Sequence, residues 1–313
     1  MLVDLLLTDK RYYTFEGYAT RKVSHILEEK GIACRVIDLS AGMLQPYITS
    51  LMKRSPTWTL SFSNLTPHCK PLCDMVKIPH FYWVEDSPGP ALHYVQSSHG
   101  KMGLSDELLC KQLDCTQAVF LPHGVERVPA CTVKKMGVVV FADLIELSCL
   151  EKTWQKNLGL TQIESIQRAI EEGDPLLASL QFTDAESYLN AQKTREALST
   201  LAGLRIDVFG QHVGCDWLVR LPEGIRLHSL LPYIEYFEVL KHSAMILANA
   251  SSIWYWPAIA AGCLPLPPDK EQIDYYLAHP QKRAEILEQH ARELPHRTWV
   301  NQVEKVIQVM SVC

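Results

Sequence analysis

Short apolar runs separated by helix-length amphipathic spans recur along this chain, and the alternation starts twice. MLVDLLL (1–7), ACRVIDL (33–39) and WTLSFS (58–63) are rich in the aliphatic, β-branched and aromatic residues that suit strands. Between them, residues 16–30 and 42–54 place apolar side chains at helical spacing, and Gly31 closes the first span, as suits the left-handed position after a helix. Strand, helix and strand in this order describe parallel pairing, because parallel neighbours need a connection long enough to recross the sheet. Further strands are predicted at IPHFYWV (78–84) and QAVFLP (117–122).

The pattern restarts at KKMGVVVFAD (134–143), after an interval containing Pro129. It continues through LRIDVFG (204–210), GIRLH (224–228), AMILAN (244–249) and CLPLP (263–267), with helices predicted at 233–242, at 254–261 and from there to the end. The span 144–203 has helical periodicity almost throughout and reads as a helical insertion. At 313 residues the chain is long enough for two domains of ordinary size, divided on this reading into 1–130 and 131–313. The expected fold class is α/β, with two doubly wound, Rossmann-like parallel sheets facing one another. In such folds ligands bind in the crevice at the carboxyl ends of the strands.

Composition narrows the function classes. Hydrophobic residues make up 47% of the chain at a mean hydropathy of −0.02, which excludes a disordered or fibrous protein. Thirty Lys and Arg against thirty-five Asp and Glu, with no long basic run, supply little of the charge that binds nucleic acid, so no nucleic-acid partner is expected. MLVDLLLTDK has no basic leader and Asp4 interrupts its apolar run; with no apolar stretch of membrane-spanning length, no transmembrane segment and a cytoplasmic location are expected. The ten cysteines are scattered, as in reduced proteins with buried thiols. His68, Cys69 and Cys73 form half of a metal pattern with no second half, so no metal site is expected. P-loop, G-x-G-x-x-G and G-x-S-x-G motifs are absent.

Several motifs bear a resemblance to a known family. IRLHSLLPYIEYFEVLKHSAMILANASSIWYWPAIAAGCLPLPP, followed by a tail helix with an aromatic residue, resembles the C-terminal half of GT-B glycosyltransferases, closest to the spore-maturation CgeB-type group. IPHFYWVEDSP and FLPHGVE resemble that group's "P-x-x-x-W-x-x-D-x-P" and "LP-x-G". The resemblance implies a GT-B type fold, with an acceptor-side N-terminal domain, a donor-side C-terminal domain and a last helix crossing back. It implies transfer of a sugar from a nucleotide-diphosphate sugar, the donor being a substrate and no cofactor being required, to an unidentified acceptor: a glycan, a protein or a small molecule. Three features depart from the family, one being that Trp254 or Tyr255 stands where an arginine is common just upstream of the donor-side helix. Pro257 stands where an acidic residue usually opens the donor-side helix, and Ala142–Asp143 end the strand where a glycine usually lies.

The residues themselves admit the same chemistry. Ser251 and Ser252, ahead of the 254–261 helix, either donate to a phosphate or merely cap that helix. Gly210 and Gln211 bring backbone close to a ligand or form an ordinary turn, and His228, Ser229 and Asn249 sit at predicted strand ends facing the cleft. Trp254, Tyr255 and Trp256 can stack a base or sugar or belong to the core. Asp86 and His123 are the acid/base candidates, since a hydroxyl attacking an anomeric carbon must give up its proton. No D-x-D motif occurs, so a metal-independent reaction is expected. The competing reading is a catalytically inactive scaffold that binds a protein or glycan; a basic side chain reaching the cleft would speak against it.

Overall fold

The computed structural model describes residues 1–8, 14–39, 43–51, 53–65, 70–84, 94–113, 116–126, 131, 134–145, 194–213, 221–250 and 252–312. The first sheet comprises β1 (Leu2–Leu7), β2 (Ala33–Asp38), β3 (Trp58–Ser61), β4 (His80–Trp83), β5 (Gly100–Leu104) and β6 (Ala118–Phe120), all parallel in the order β2-β1-β3-β4-β5-β6. The crossovers carry helices α1 (Phe15–Glu29), α2 (Leu44–Leu51), α3 (Leu72–Val76) and α4 (Glu107–Leu113). Capping bounds α1 at both ends. Thr14 Oγ1 accepts from Gly17 N at 3.3 Å, and Gly31, at φ +70°, lets Ile32 N reach back to Leu27 O at 2.9 Å.

The second sheet is built from β7 (Met136–Phe141), β9 (Ile206–Phe209), β11 (Ile225–His228), β12 (Ser243–Leu247) and β13 (Leu264–Leu266), again parallel, in the order β11-β9-β7-β12-β13. Two short strands, β8 (Leu144–Ile145) and β10 (His212–Val213), pair in parallel just beyond β7 and β9. A helix over 194–200, α5, precedes β9. It is followed by α6 (Tyr233–His242), α7 (Tyr255–Ala260), α8 (Lys270–Ala278), α9 (Pro280–Ala291) and α10 (Trp299–Met310). The chain is therefore α/β with two doubly wound parallel sheets.

Two features differ from the sequence-based expectation. β5, GKMGL, was not expected as a strand: its two glycines lower strand propensity, yet Gly103 is required because a Cβ there would lie 2.9 Å from the Phe81 ring. Leu144 and Ile145 are strand where helix was expected, because they extend the β7–β9 pairing one step further. The remainder of the expected helical insertion, 146–193, lies outside the described residues.

Helix α10 returns to the first sheet. Trp299, Val303, Val306 and Met310 fall on one helical face and are buried with Phe15, Tyr18, Val23, Leu27, Phe62 and Trp83. Tyr233 and Phe237 of α6 and Ile253 join the same cluster, so both halves share one apolar seam. Each such side chain contributes roughly 1.5–3 kcal/mol when fully removed from water. Among the described residues no helix is long and apolar enough to cross a membrane.

Candidate functional site

The seam ends at a pocket between the carboxyl ends of the two sheets. Ser105 follows β5, and Pro122 and His123 follow β6; opposite them stand Ala250, Ser252, Ile253, Trp256 and Pro257, from the loop after β12 and from α7. The empty space is about 220 Å³ including its open mouth. β12 flanks β7, on whose other side the strand order turns away, so the pocket occupies the switch point of the second sheet, where doubly wound folds leave a crevice.

Backbone geometry fixes His123. The segment LPHG continues from β6 and is tied to β4 by two bonds: Trp83 Nε1 donates to Leu121 O at 2.9 Å, and His123 Nε2 bonds Val84 O at 2.8 Å. A carbonyl only accepts, so Nε2 carries the hydrogen and the basic nitrogen of the neutral ring is Nδ1. The ring is 6% exposed, stacks on Trp83 with centroids 5.3 Å apart, and meets Phe15 edge-on at 4.7 Å. Directly after it, Val125 N donates to Arg297 O at 2.8 Å.

On the opposite wall, Ser252 Oγ accepts from Trp254 N at 3.2 Å, which uses a lone pair and leaves its proton to donate. The three aromatic residues separate in role. Trp254 stacks on Tyr233 at 4.8 Å and packs against Phe141 and Tyr236, so it belongs to the core. Tyr255 turns toward α9, its hydroxyl 3.3 Å from His290 Nδ1. Trp256 alone lines the pocket, with the Arg297 guanidinium carbon 4.6 Å from its ring centroid and 5.4 Å from that of Phe120. Burial lowers the Arg297 pKa, with Glu293 and Glu107 acting in the opposite sense.

The remaining candidates lie along the edge of the second sheet. Gly210 is a glycine because a Cβ would stand 2.1 Å from Ala142 O, and the Gln211 amide donates to Asp143 Oδ1 at 2.7 Å. Both features are internal to the β8–β10 extension, which puts a carboxylate where a glycine-rich loop would leave free amides. His228 stacks on Phe209 at 4.4 Å, and its Nε2 is 2.8 Å from Oδ1 of the buried Asp207. Ser229 and Asn249 are exposed after β11 and β12. None of these five lines the pocket. Asp86 and Ser251 lie outside the described residues, as do His68 and Cys69; Cys73 is buried, its thiol pushed up to about 11 by desolvation.

Sequence reasoning brought His123, Ser252 and Trp256 to the pocket and missed Ser105, which lines it, and Arg297, which packs against Trp256. Arg297 stands one residue before the α10 cap, Thr298, a position that carries no motif of its own.

No family model matches the chain, and no curated protein matches its sequence. Solved structures do match its fold. T4 phage β-glucosyltransferase is similar over 99% of both chains, at a TM-score of 0.51 and 10% identity. T4 phage BGT in complex with UDP and Mn2+ is similar at a TM-score of 0.50, with the same identity and coverage. At this identity the likeness is one of fold. With two facing doubly wound sheets, it makes the architecture GT-B.

Proposed function

We propose that this chain is a glycosyltransferase that moves a sugar from a nucleotide-diphosphate donor to a hydroxyl or other nucleophile of an acceptor, in the pocket between His123 and Trp256. The observation carrying this reading is the convergence of His123, Ser252 and Trp256 at the carboxyl ends of two sheets in a GT-B fold. The match to T4 phage BGT, which holds UDP, supports a nucleotide donor. The space of about 220 Å³ includes the open mouth, so the described walls enclose only part of such a donor.

His123 accepts the acceptor hydroxyl proton as the oxygen attacks the anomeric carbon and the bond to diphosphate breaks, a step for which its Nδ1, buried in this structure, must be uncovered; general bases of this kind contribute about 10²- to 10⁴-fold. Its Nε2 bond to Val84 O fixes the tautomer. Asp86 is the second acid/base candidate. Ser252 donates to the leaving diphosphate and Trp256 packs against the sugar or base. Gly210, Gln211, His228, Ser229, Asn249 and Ser251 belong to the wider donor site in this reading. The reaction takes place in the cytoplasm without a metal ion, and the sequence motifs align the chain with the CgeB-type group. Arg297, packed on the pocket-lining Trp256, is the basic side chain that favours this reading over the inactive-scaffold one.

Isothermal titration with UDP, GDP, TDP and CMP compounds, with and without a chelator, tests the proposal. One nucleotide should bind, with the same affinity in both conditions. No binding of any at millimolar concentration sinks the donor assignment, and loss of binding with the chelator sinks metal independence.

A further inference from the structure

Among the described residues three arginines are partly buried, and two of them are partnered. Arg35 holds Asp4 through two bonds of 2.7 Å, and Arg283 donates to Tyr276 O at 2.9 Å. Arg297 does none of this. Its Nε is buried without a hydrogen-bond partner, and among the described residues its side chain makes no hydrogen bond or ion pair. The guanidinium lies between the rings of Phe120, from the first sheet, and Trp256, from the pocket wall.

Two aromatic faces offset part of the cost of desolvating a cation, about 0.5–2 kcal/mol each, but they satisfy none of its five N–H donors. Of its nitrogens only Nε is sealed from solvent, so the terminal nitrogens, which have no protein partner among the described residues, are open to an anion. Glu293 and Glu107 are near enough to act on Arg297 electrostatically, yet neither reaches ion-pair distance. The usual backbone devices for holding an anion are weak here. The Gln211 amide is taken by Asp143, α7 has six residues, and Pro257 within it has no N–H.

We infer that Arg297, packed against the pocket-lining Trp256, binds an anion beside the interdomain pocket, and that its partner is a phosphate group of the bound ligand. The choice of phosphate rests on the nucleotide-sugar reading; the opening for an anion does not. The planar fork takes two phosphate oxygens at once, which a lysine at the same place does not. The phosphate can belong to the nucleotide donor or to a phosphorylated acceptor.

Isothermal titration of the full chain with UDP, uridine, pyrophosphate and inorganic phosphate, for wild type, Arg297→Met and Arg297→Lys, tests the inference. Methionine keeps the apolar bulk between the two rings, and melting temperature checks the fold of both variants. UDP and pyrophosphate affinity should fall tenfold or more in Arg297→Met and less in Arg297→Lys, with uridine unchanged; this identifies the donor as the phosphate source. Pyrophosphate or phosphate binding that needs Arg297, in a protein that binds no nucleotide, upholds the inference and removes the donor reading. If UDP binds wild type and Arg297→Met equally, the donor reading stands and the inference fails. It fails equally if wild type binds none of the four probes.

Discussion

Gly124 and Trp299 are in backbone contact: a Cβ on the glycine would stand 2.4 Å from the Trp299 Cα and 2.6 Å from its indole ring. The same approach pairs Val125 with Thr298 and carries the Val125 N to Arg297 O bond. The loop bearing His123 is thus seated on the start of α10, and a change at Gly124 is felt by both. Gly124→Ala forces backbone rather than a flexible side chain to move, so it should cost about 2–3 kcal/mol. Thermal unfolding should show a melting temperature several degrees lower. An unchanged melting temperature would mean that the two segments separate freely.

His123→Phe keeps a ring of similar size among Phe15, Phe62, Trp83 and Trp299 but removes both nitrogens. If Nδ1 takes the acceptor proton, turnover should fall by 10² or more while nucleotide affinity stays within a few-fold. Steady-state rates beside nucleotide titrations separate the two effects. Equal loss in both would reduce His123 to a packing residue.

At Ser252 two roles are superimposed. Alanine removes the acceptor of the Trp254 N–H, at about 1 kcal/mol of stability, and also any bond donated to phosphate. Nucleotide affinity should fall about tenfold, at 1.4 kcal/mol per decade. Lowered stability with undiminished affinity would leave the serine as a turn residue only.

His80 gives the first sheet a pH dependence. It is fully buried, with Nδ1 2.7 Å from Thr59 Oγ1 and Nε2 3.1 Å from Ser61 Oγ, and burial pulls its pKa down to about 3. In the unfolded chain a histidine titrates near 6.5. Between these values the unfolded state binds a proton that the folded state does not, so stability is full above about pH 6.5 and declines as pH falls toward 3, by up to ~1.4 kcal/mol per unit. Urea unfolding at pH 7 and pH 5 should show a smaller drop in His80→Gln than in wild type. Identical drops would show that His80 is not the group responsible.

Local pattern determined a good deal of this protein. VVV in β7, the alternation of strand and helix, and Gly31 after α1 are consequences of backbone preference and of side-chain period, which act within a few residues of the chain. They suffice for the fold class, because parallel strands joined by helices leave few topologies once crossovers are right-handed. They also suffice for the expectation that His123, Ser252 and Trp256 stand near strand ends.

What the sequence could not determine are contacts whose partners are far apart in it. GKMGL reads as a poor strand until Phe81 and Trp83 of β4 are seen to occupy the space a side chain at Gly103 would need. Gly210 looks like a ligand-approach glycine until Ala142 O is found beneath it. Trp254 and Trp256 are two residues apart on adjoining turns of chain, yet one packs against the seam between the halves and the other faces the pocket. Arg297 acquires its setting only because α10 recrosses the molecule and sets it between Phe120 and Trp256. Propensity and period are local energies, whereas desolvation and packing depend on which distant groups close over a residue, and only the tertiary structure decides that.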